Sequence, residues 1–226
     1  MLELGGFTPL STTDWPDRLA AVAFVQGCPW RCTYCHNPGL QERGTGRGPG
    51  WAEVMVTLSR RVGLLDGVVF SGGEPTLDPR LPDAVADVRG LGLQAALHTA
   101  GIYPERLAAL LPDLAWVGFD VKTDFARYDA LTGTRRSGDA VRRALDHLLA
   151  SGVDHELRTT YHPAYVDDDA LLATARTLRA LGAPAWVLQQ WRAHEGASEL
   201  PSMPWRWPAE ALLDRLRAEG PPLALR

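Results

Sequence analysis

The chain has 226 residues, 46% of them apolar, enough to bury one sizeable core without requiring a second domain. A net charge of -4 gives no overall basic footprint for nucleic acid, and no apolar run approaches the roughly 18 residues a membrane helix needs. The N-terminus, Met1-Leu2-Glu3-Leu4-Gly5, has neither a basic region nor an apolar stretch, so the expectation is a cytoplasmic protein working without membrane or nucleic acid.

Short apolar or β-branched runs alternate with helical patterns along the whole chain, the order expected of βα units on a parallel sheet. The predicted strands cover residues 20–26, 67–71, 94–99, 116–122, 155–161 and 185–191. Between them, Val141, Ala144, Leu145, Leu148 and Leu149 share one helical face, as do Leu171, Ala175 and Leu178. Gly152 and Gly182 stand where helix C-caps belong, and Asp167-Asp168-Asp169 where negative charge suits a helix N-terminus. An amphipathic stretch at 208–219 is expected to cover the sheet. These patterns predict one α/β domain over residues 1–226: a partial (β/α)6 barrel of TIM type, with parallel strands and open on one side.

In such a barrel the chemistry gathers at the C-terminal ends of the strands, and every polar motif of this chain falls there. The loop 27–38 after the first predicted strand carries Cys28, Cys32 and Cys35, the only cysteines, spaced Cys-x3-Cys-x2-Cys. Three thiolates leave one iron of a cubane iron-sulfur cluster without a protein sulfur and open to a ligand. The competing patterns fit less well. Haem attachment through Cys32-x2-Cys35-His36 implies export, a disulfide leaves one thiol over, and a zinc site using the adjacent Cys35 and His36 is geometrically awkward.

The other motifs follow in chain order. Gly72-Gly73 lets the backbone approach a ligand closely, and Glu74 beside it can accept from a cationic group. His98-Thr99 ends the third predicted strand. Asp120 and Lys122 share the parity that faces inward at the fourth, and Arg158, Thr160 and His162 share a face of the fifth. A ligand with an amine, a carboxylate and an aromatic base would find Glu74, then Lys122 or Arg158, and the ring of Tyr34. Those are the groups of S-adenosylmethionine.

With these residues the chain resembles the radical S-adenosylmethionine superfamily, whose signature is Cys-x3-Cys-x2-Cys with an aromatic before the last cysteine, followed by Gly-Gly-Glu-Pro, here Gly72-Gly73-Glu74-Pro75. Tyr34-Cys35-His36-Asn37-Pro38 is similar to the activating enzymes of glycyl-radical proteins. Gly5-Gly6-Phe7, Ser11 and Asp14-Trp15-Pro16 resemble the anaerobic ribonucleotide reductase activator group. The resemblance implies that Cys28, Cys32 and Cys35 ligate a 4Fe-4S cluster whose fourth iron takes the amino and carboxylate groups of S-adenosylmethionine. It also implies that Tyr34 lies by the adenine, that Gly72-Gly73-Glu74 holds the amino group, and that Asp120-Val121-Lys122 matches an Asp-x-Lys element of activating enzymes. Thr99 and Arg158 complete the expected cofactor contacts. The implied reaction is reductive cleavage of S-adenosylmethionine to a 5'-deoxyadenosyl radical, which takes a hydrogen atom from a glycine of the partner enzyme. Flavodoxin or ferredoxin would supply the electron.

One stretch departs from that pattern: Leu97-His98-Thr99-Ala100-Gly101 replaces the Leu-Asp-Thr-Asn-Gly of related activators. Without the aspartate a bound monovalent cation loses its ligand, and His98 is expected to be able to carry charge at acidic pH. No cysteine follows Cys35, which excludes auxiliary clusters held by cysteine. His147 and His155 are expected in solvated or core roles, Trp205-Arg206-Trp207 in packing, and 41–50 as a flexible basic loop, either a passive linker or a lid. Two further functions compete: a radical enzyme acting on a small molecule such as a 7-deazaguanine precursor, and a metal-stabilised interaction module without catalysis.

Overall fold

Alternation along a strand sends successive side chains to opposite faces, so a barrel strand needs one residue set for the interior and another for the helices. In the computed structural model, which describes residues 2–192 and 206–226, the six predicted strands form β2 Ala20–Val25, β3 Gly67–Gly72, β4 Gln94–Thr99, β5 Trp116–Asp120, β6 Asp154–Tyr161 and β7 Trp186–Gln190. Two more strands flank them. β1 Leu4–Ser11 runs antiparallel to β2, and β8 Leu223–Leu225 runs parallel to β7. The order across the sheet is the order in the chain, β1 through β8, and β1 does not pair with β8. The sheet is therefore an open, mostly parallel partial barrel. β1 escapes a sequence reading because Gly5, Gly6 and Pro9 break its β-propensity, and β8 because it has only three residues.

Val68, Phe70, Ala95, Leu97, Val117, Phe119, Leu157 and Leu188 face the helices and join their apolar stripes in one core. Those helices are α1 Trp51–Ser59, α2 Leu81–Gly90, α3 Pro104–Leu110, α4 Tyr128–Thr132, α5 Ser137–Ser151, α6 Asp168–Ala180 and α7 Glu210–Glu219. The expected stripes are the buried ones: Val141, Ala144, Leu145 and Leu148 on α5, Leu171, Ala175 and Leu178 on α6. Asp167 caps α6 by accepting from the amide of Ala170 at 2.8 Å, and Gly152 closes α5 at φ 73°. The stretch at 208–219 is α7, which buries Leu212, Leu213 and Leu216 and packs on α6. Trp205 lies outside the described residues.

The inward set is small: Ala20, Val22, Val69 and Ala96. Small side chains leave room at the floor of the barrel, and Trp15, from the turn between β1 and β2, fills it by stacking on Trp116 with ring centroids 6.2 Å apart. The segment 41–50 is neither slack nor free. The buried amide of Gln26 donates to the carbonyls of Gly39 and Glu42 and to Thr45, Glu3 accepts from the amide of Gly44, and the amide of Gly48 bonds the carbonyl of Leu4. The flexible linker or lid becomes a cover strapped over the start of the edge strand β1, which shields unpaired strand groups. None of the helices among the described residues is long and apolar enough to cross a membrane.

Candidate active site at the mouth of the barrel

A cavity of about 660 Å³ opens at the C-terminal ends of the strands. Every predicted site residue lines it: Cys28, Cys32, Cys35 and Tyr34 from the loop after β2, Gly72 at the end of β3 with Gly73 and Glu74 after it, Thr99 at the end of β4, Asp120 at the end of β5 with Lys122 after it, and Arg158 on β6. The three cysteines are free and half-buried. Burial pushes the Cys28 thiol up to about 12 and raises that of Cys32, which Lys122 partly offsets by favouring the thiolate. Among the described residues, no three His, Cys, Asp or Glu side chains group closely enough to hold a single metal ion. The donor set is thus three soft sulfurs spread along one cavity-lining loop. That fits an iron-sulfur cluster with one iron left open, and the rest of the wall provides the groups a sulfonium amino acid would need.

The loop is held from behind by aromatic and backbone contacts. Its amides at Arg31 and Thr33 donate to the carbonyls of Thr132 and Leu131 in α4, and Trp30 packs edge-on against Tyr128. Tyr128 also accepts from the amide of Lys122 at 2.7 Å. Tyr34 is buried to 3% exposure, tilted against Tyr165, with its hydroxyl 3.4 Å from the carbonyl of Lys122. A ring already packed in this way ties the cysteine loop to the end of β5, a role that the expectation of an adenine platform did not include.

Gly72 and Gly73 line the cavity and also serve an approach within the chain. A β-carbon on Gly72 would strike the backbone of Val25, and one on Gly73 the carbonyls of Gly27 and Leu40. The bare backbone here lets the end of β3 press directly on the root of the cysteine loop, where the amide of Glu74 bonds the carbonyl of Gly27 at 2.9 Å. Glu74 itself is 1% exposed. Its Oε1 accepts from the Thr76 amide, the Thr76 hydroxyl and the Thr99 hydroxyl, and its Oε2 from the Ala100 amide at 3.0 Å. Burial pushes its carboxyl up against the pull of those donors. Oε2 retains room for one more donor, and Thr99 acts on the carboxylate.

Across the cavity, Arg158 is 8% exposed, with Nε 3.1 Å and Nη2 3.0 Å from Oδ1 of Asp120. Lys122 Nζ lies 3.9 Å from Oδ2. Burial opposes ionisation of Asp120, but Arg158 and Lys122 outweigh it and hold its carboxyl below the usual range. The guanidinium lies flat across β5 because position 118 is glycine, where a β-carbon would sit 2.7 Å from Nη1. Sequence reasoning missed Gly118, Ser71, Trp116 and the carbonyl of Asp14. Inward parity could have found Ser71 and Gly118, since they alternate with outward Phe70 and Phe119.

His98 corrects an expectation. Its Nε2 is 2.7 Å from the Asp14 carbonyl and so carries the proton, which leaves Nδ1 to accept from Ser71 at 3.4 Å. Burial and the neighbouring Arg158 push its pKa down to about 3, so it stays neutral and does not charge in mild acid. Unfolded, the same imidazole takes up a proton below about 6.5, so acid favours unfolding progressively between 6.5 and 3. Thermal unfolding measured from neutral pH to about pH 4 is expected to show a smaller acid loss in His98→Gln than in the unsubstituted protein. Equal losses would contradict this. His147 sits exposed near Glu105, and His155 bonds the carbonyl of Val153, both outside the cavity.

Comparison with known proteins agrees with this geometry. Residues 22–175, from β2 into α6, match the Radical SAM superfamily. A protein of Methanocaldococcus jannaschii with the provisional name of glycyl-radical enzyme activating enzyme is 30% identical over 186 residues, 78% of this chain and 75% of that protein. The pyruvate formate-lyase-activating enzyme of Clostridium pasteurianum is 31% identical over 66% of this chain, which spans 64% of that enzyme. The PqqA peptide cyclase of Streptomyces rochei is 33% identical over 65% of this chain, which spans only 41% of it. Among solved structures, QueE from Escherichia coli superposes with a TM-score of 0.62 at 16% identity, covering 100% of this chain and 93% of that one.

Proposed function

Because this chain belongs to the radical SAM superfamily, we propose that its 226 residues act as one domain that installs a glycyl radical on a partner enzyme, anaerobic ribonucleotide reductase being the partner its N-terminal motifs favour. It is an oxidoreductase whose cofactors are a 4Fe-4S cluster and S-adenosylmethionine. Bound together, these supply reductive cleavage of a carbon-sulfur bond and a carbon radical able to take a hydrogen atom.

The chain's own residues bind, orient and exclude water. Cys28, Cys32 and Cys35 would hold the cluster, with Lys122 favouring the thiolate of Cys32. Oε2 of Glu74 would receive the ammonium of S-adenosylmethionine, and its four existing hydrogen bonds fix it beforehand. The paired Arg158 and Asp120 present donors and an acceptor in one fixed plane across the cavity. Trp15 on Trp116 closes the floor to water, and a neutral His98 keeps that turn in place.

The observation that carries the choice of substrate is the relative from M. jannaschii, matched over three quarters of both chains. The test is electron paramagnetic resonance of the partner after anaerobic incubation with the protein, S-adenosylmethionine and a reductant. A glycyl doublet is expected. Its absence with an authentic partner, alongside turnover of a pterin without any protein, would favour the small-molecule reading. The similarity to a peptide cyclase supports a second substrate class, a short peptide.

A further inference from the structure

Beyond Arg158 the cavity wall continues with Thr160 on β6 and with Gln189 and Gln190 at the end of β7. Thr160 and Gln189 are direct partners in the parallel ladder, and Gln190 follows one residue on. All three are half-buried, and among the described residues none of their side chains has a hydrogen-bond partner. The charged groups of this part of the wall are Arg158, matched by Asp120, Arg226, matched by Glu156, and Arg192, which is exposed to solvent. What remains is a set of neutral donors and acceptors, and it is firmly held. Arg226 reaches across the sheet from the end of β8 to Glu156 of β6 through two bonds of 2.8 Å. Trp191, next after Gln190, stacks on His36 of the cysteine loop with ring centres 6.0 Å apart and meets His162 edge-on at 5.1 Å.

Half-buried polar groups without partners suit a ligand that brings neutral donors and acceptors of its own. Each carboxamide offers an acceptor, Oε1, and a donor, Nε2, the complement of the N–H and C=O of a peptide unit. Glycine has no side chain to grip, so its α-carbon can be aimed only through the two peptide units that flank it. Consecutive residues at the end of β7 rise by about 3.3 Å, close to the repeat of an extended chain. Because β1 does not pair with β8, the barrel is open one strand away from this wall, which gives an extended segment a way in. We propose that Thr160, Gln189 and Gln190 form a main-chain subsite that binds the peptide units on either side of the substrate glycine. This rests on the function proposed above.

The full-length protein carrying its cluster and S-adenosylmethionine, without reductant, is titrated with the capped pentapeptide acetyl-Ala-Ala-Gly-Ala-Ala-amide, and binding is followed by nuclear magnetic resonance of the peptide. Two analogues carry an ester oxygen in place of the N–H of the glycine or of the residue after it. The unsubstituted protein is expected to bind at least one ester about threefold to tenfold more weakly than the amide peptide. In Gln189→Leu or Gln190→Leu, whichever has lost the acceptor for that N–H, amide and ester should bind equally. A structural role would weaken both ligands alike and keep their ratio, which would overturn the proposal. So would equal binding of amide and esters to the unsubstituted protein, or no peptide binding at all. Loss of affinity for S-adenosylmethionine in the leucine variants with the ratio intact would also overturn it, by giving the wall to the cofactor. A pterin, whose lactam carries the same N–H and C=O, is titrated alongside; if its binding alone responds to the substitutions, peptide recognition is refuted. The glycyl doublet on the whole partner decides the function separately. Its absence with the unsubstituted protein, while the amide-to-ester ratio behaves as expected, would defeat the glycyl-radical reading and leave the peptide subsite standing. A doublet formed at an undiminished rate by the double leucine variant would overturn the subsite and leave that reading intact.

Discussion

Replacing Cys28, Cys32 or Cys35 singly with Ala is expected to bring cleavage of S-adenosylmethionine down to background and to strip the protein of most of its iron and sulfide. Each substitution removes one of three soft ligands, and no fourth cysteine exists to take its place. The fold should survive. The loop's backbone is fixed independently of the sulfurs, by the amides of Arg31 and Thr33 on α4, by the amide of Cys28 on the carbonyl of Gln41 at 2.9 Å, and by the buried Trp30. Truncating a half-buried thiol at such a site costs on the order of 1 kcal/mol in the cluster-free protein. Iron and sulfide analysis, visible spectra and thermal unfolding of the cluster-free forms separate the two effects. A single alanine variant that keeps its iron and still cleaves the cofactor would sink the ligand assignment.

Glu74→Gln is the second large effect, and it falls on stability as well as on binding. The carboxylate accepts four hydrogen bonds, from Thr76 twice, from Thr99 and from Ala100, in a place closed to water. A carboxamide keeps one oxygen and turns the other acceptor into a donor, so at least one buried donor loses its partner and meets a like group. The penalty is about 2–4 kcal/mol, equivalent to a drop in Tm of roughly 5–15 °C for a chain of this size. Because Thr99 and Ala100 belong to the end of β4 and Thr76 follows β3, loosening this knot also lets the ammonium-binding edge shift. Calorimetric titration with S-adenosylmethionine should show affinity falling at least tenfold at a temperature where the variant is still folded. An unchanged Tm would show that the hydrogen bonds carry no net stability.

The site was legible in the sequence to the extent that its chemistry depends on residue type and spacing. Cys28, Cys32 and Cys35 declare themselves because cluster ligation needs thiolates at a short separation, and the strands β2 to β7 because their branched and apolar runs are cut off by glycines and polar residues. What depends on approach between distant segments was not legible. The need for glycine at position 118 comes from Arg158, which lies flat over it from the neighbouring strand. The charge state of His98 was misjudged because its burial and its bond to the Asp14 carbonyl come from a turn far off in the chain. Tyr34 was read only for a ligand it could face, and its further contacts, hydroxyl to the end of β5 and ring to Tyr165, come from segments distant in the chain. Gly72-Gly73 was recognised as a close-approach element for a ligand, and the approach it also makes to backbone, Val25 for Gly72 and Gly27 and Leu40 for Gly73, depends on segments far off in the chain.

The order of strands in the sheet repeats their order in the chain, from β1 to β8. Each strand emerging from the ribosome therefore finds its hydrogen-bonding neighbour already synthesised, and no early edge has to wait for a distant late one. Growth can proceed by successive addition along one advancing edge, which limits the time any apolar strand stays exposed to other chains. By the time β6 docks, the cysteine loop, Glu74 and Lys122 are all on the assembled side, and the wall is completed by Arg158, then by Gln189 and Gln190 of β7 and by Arg226. The polypeptide thus raises the walls of its chamber in one direction, from the cysteine loop round to the C-terminal strands.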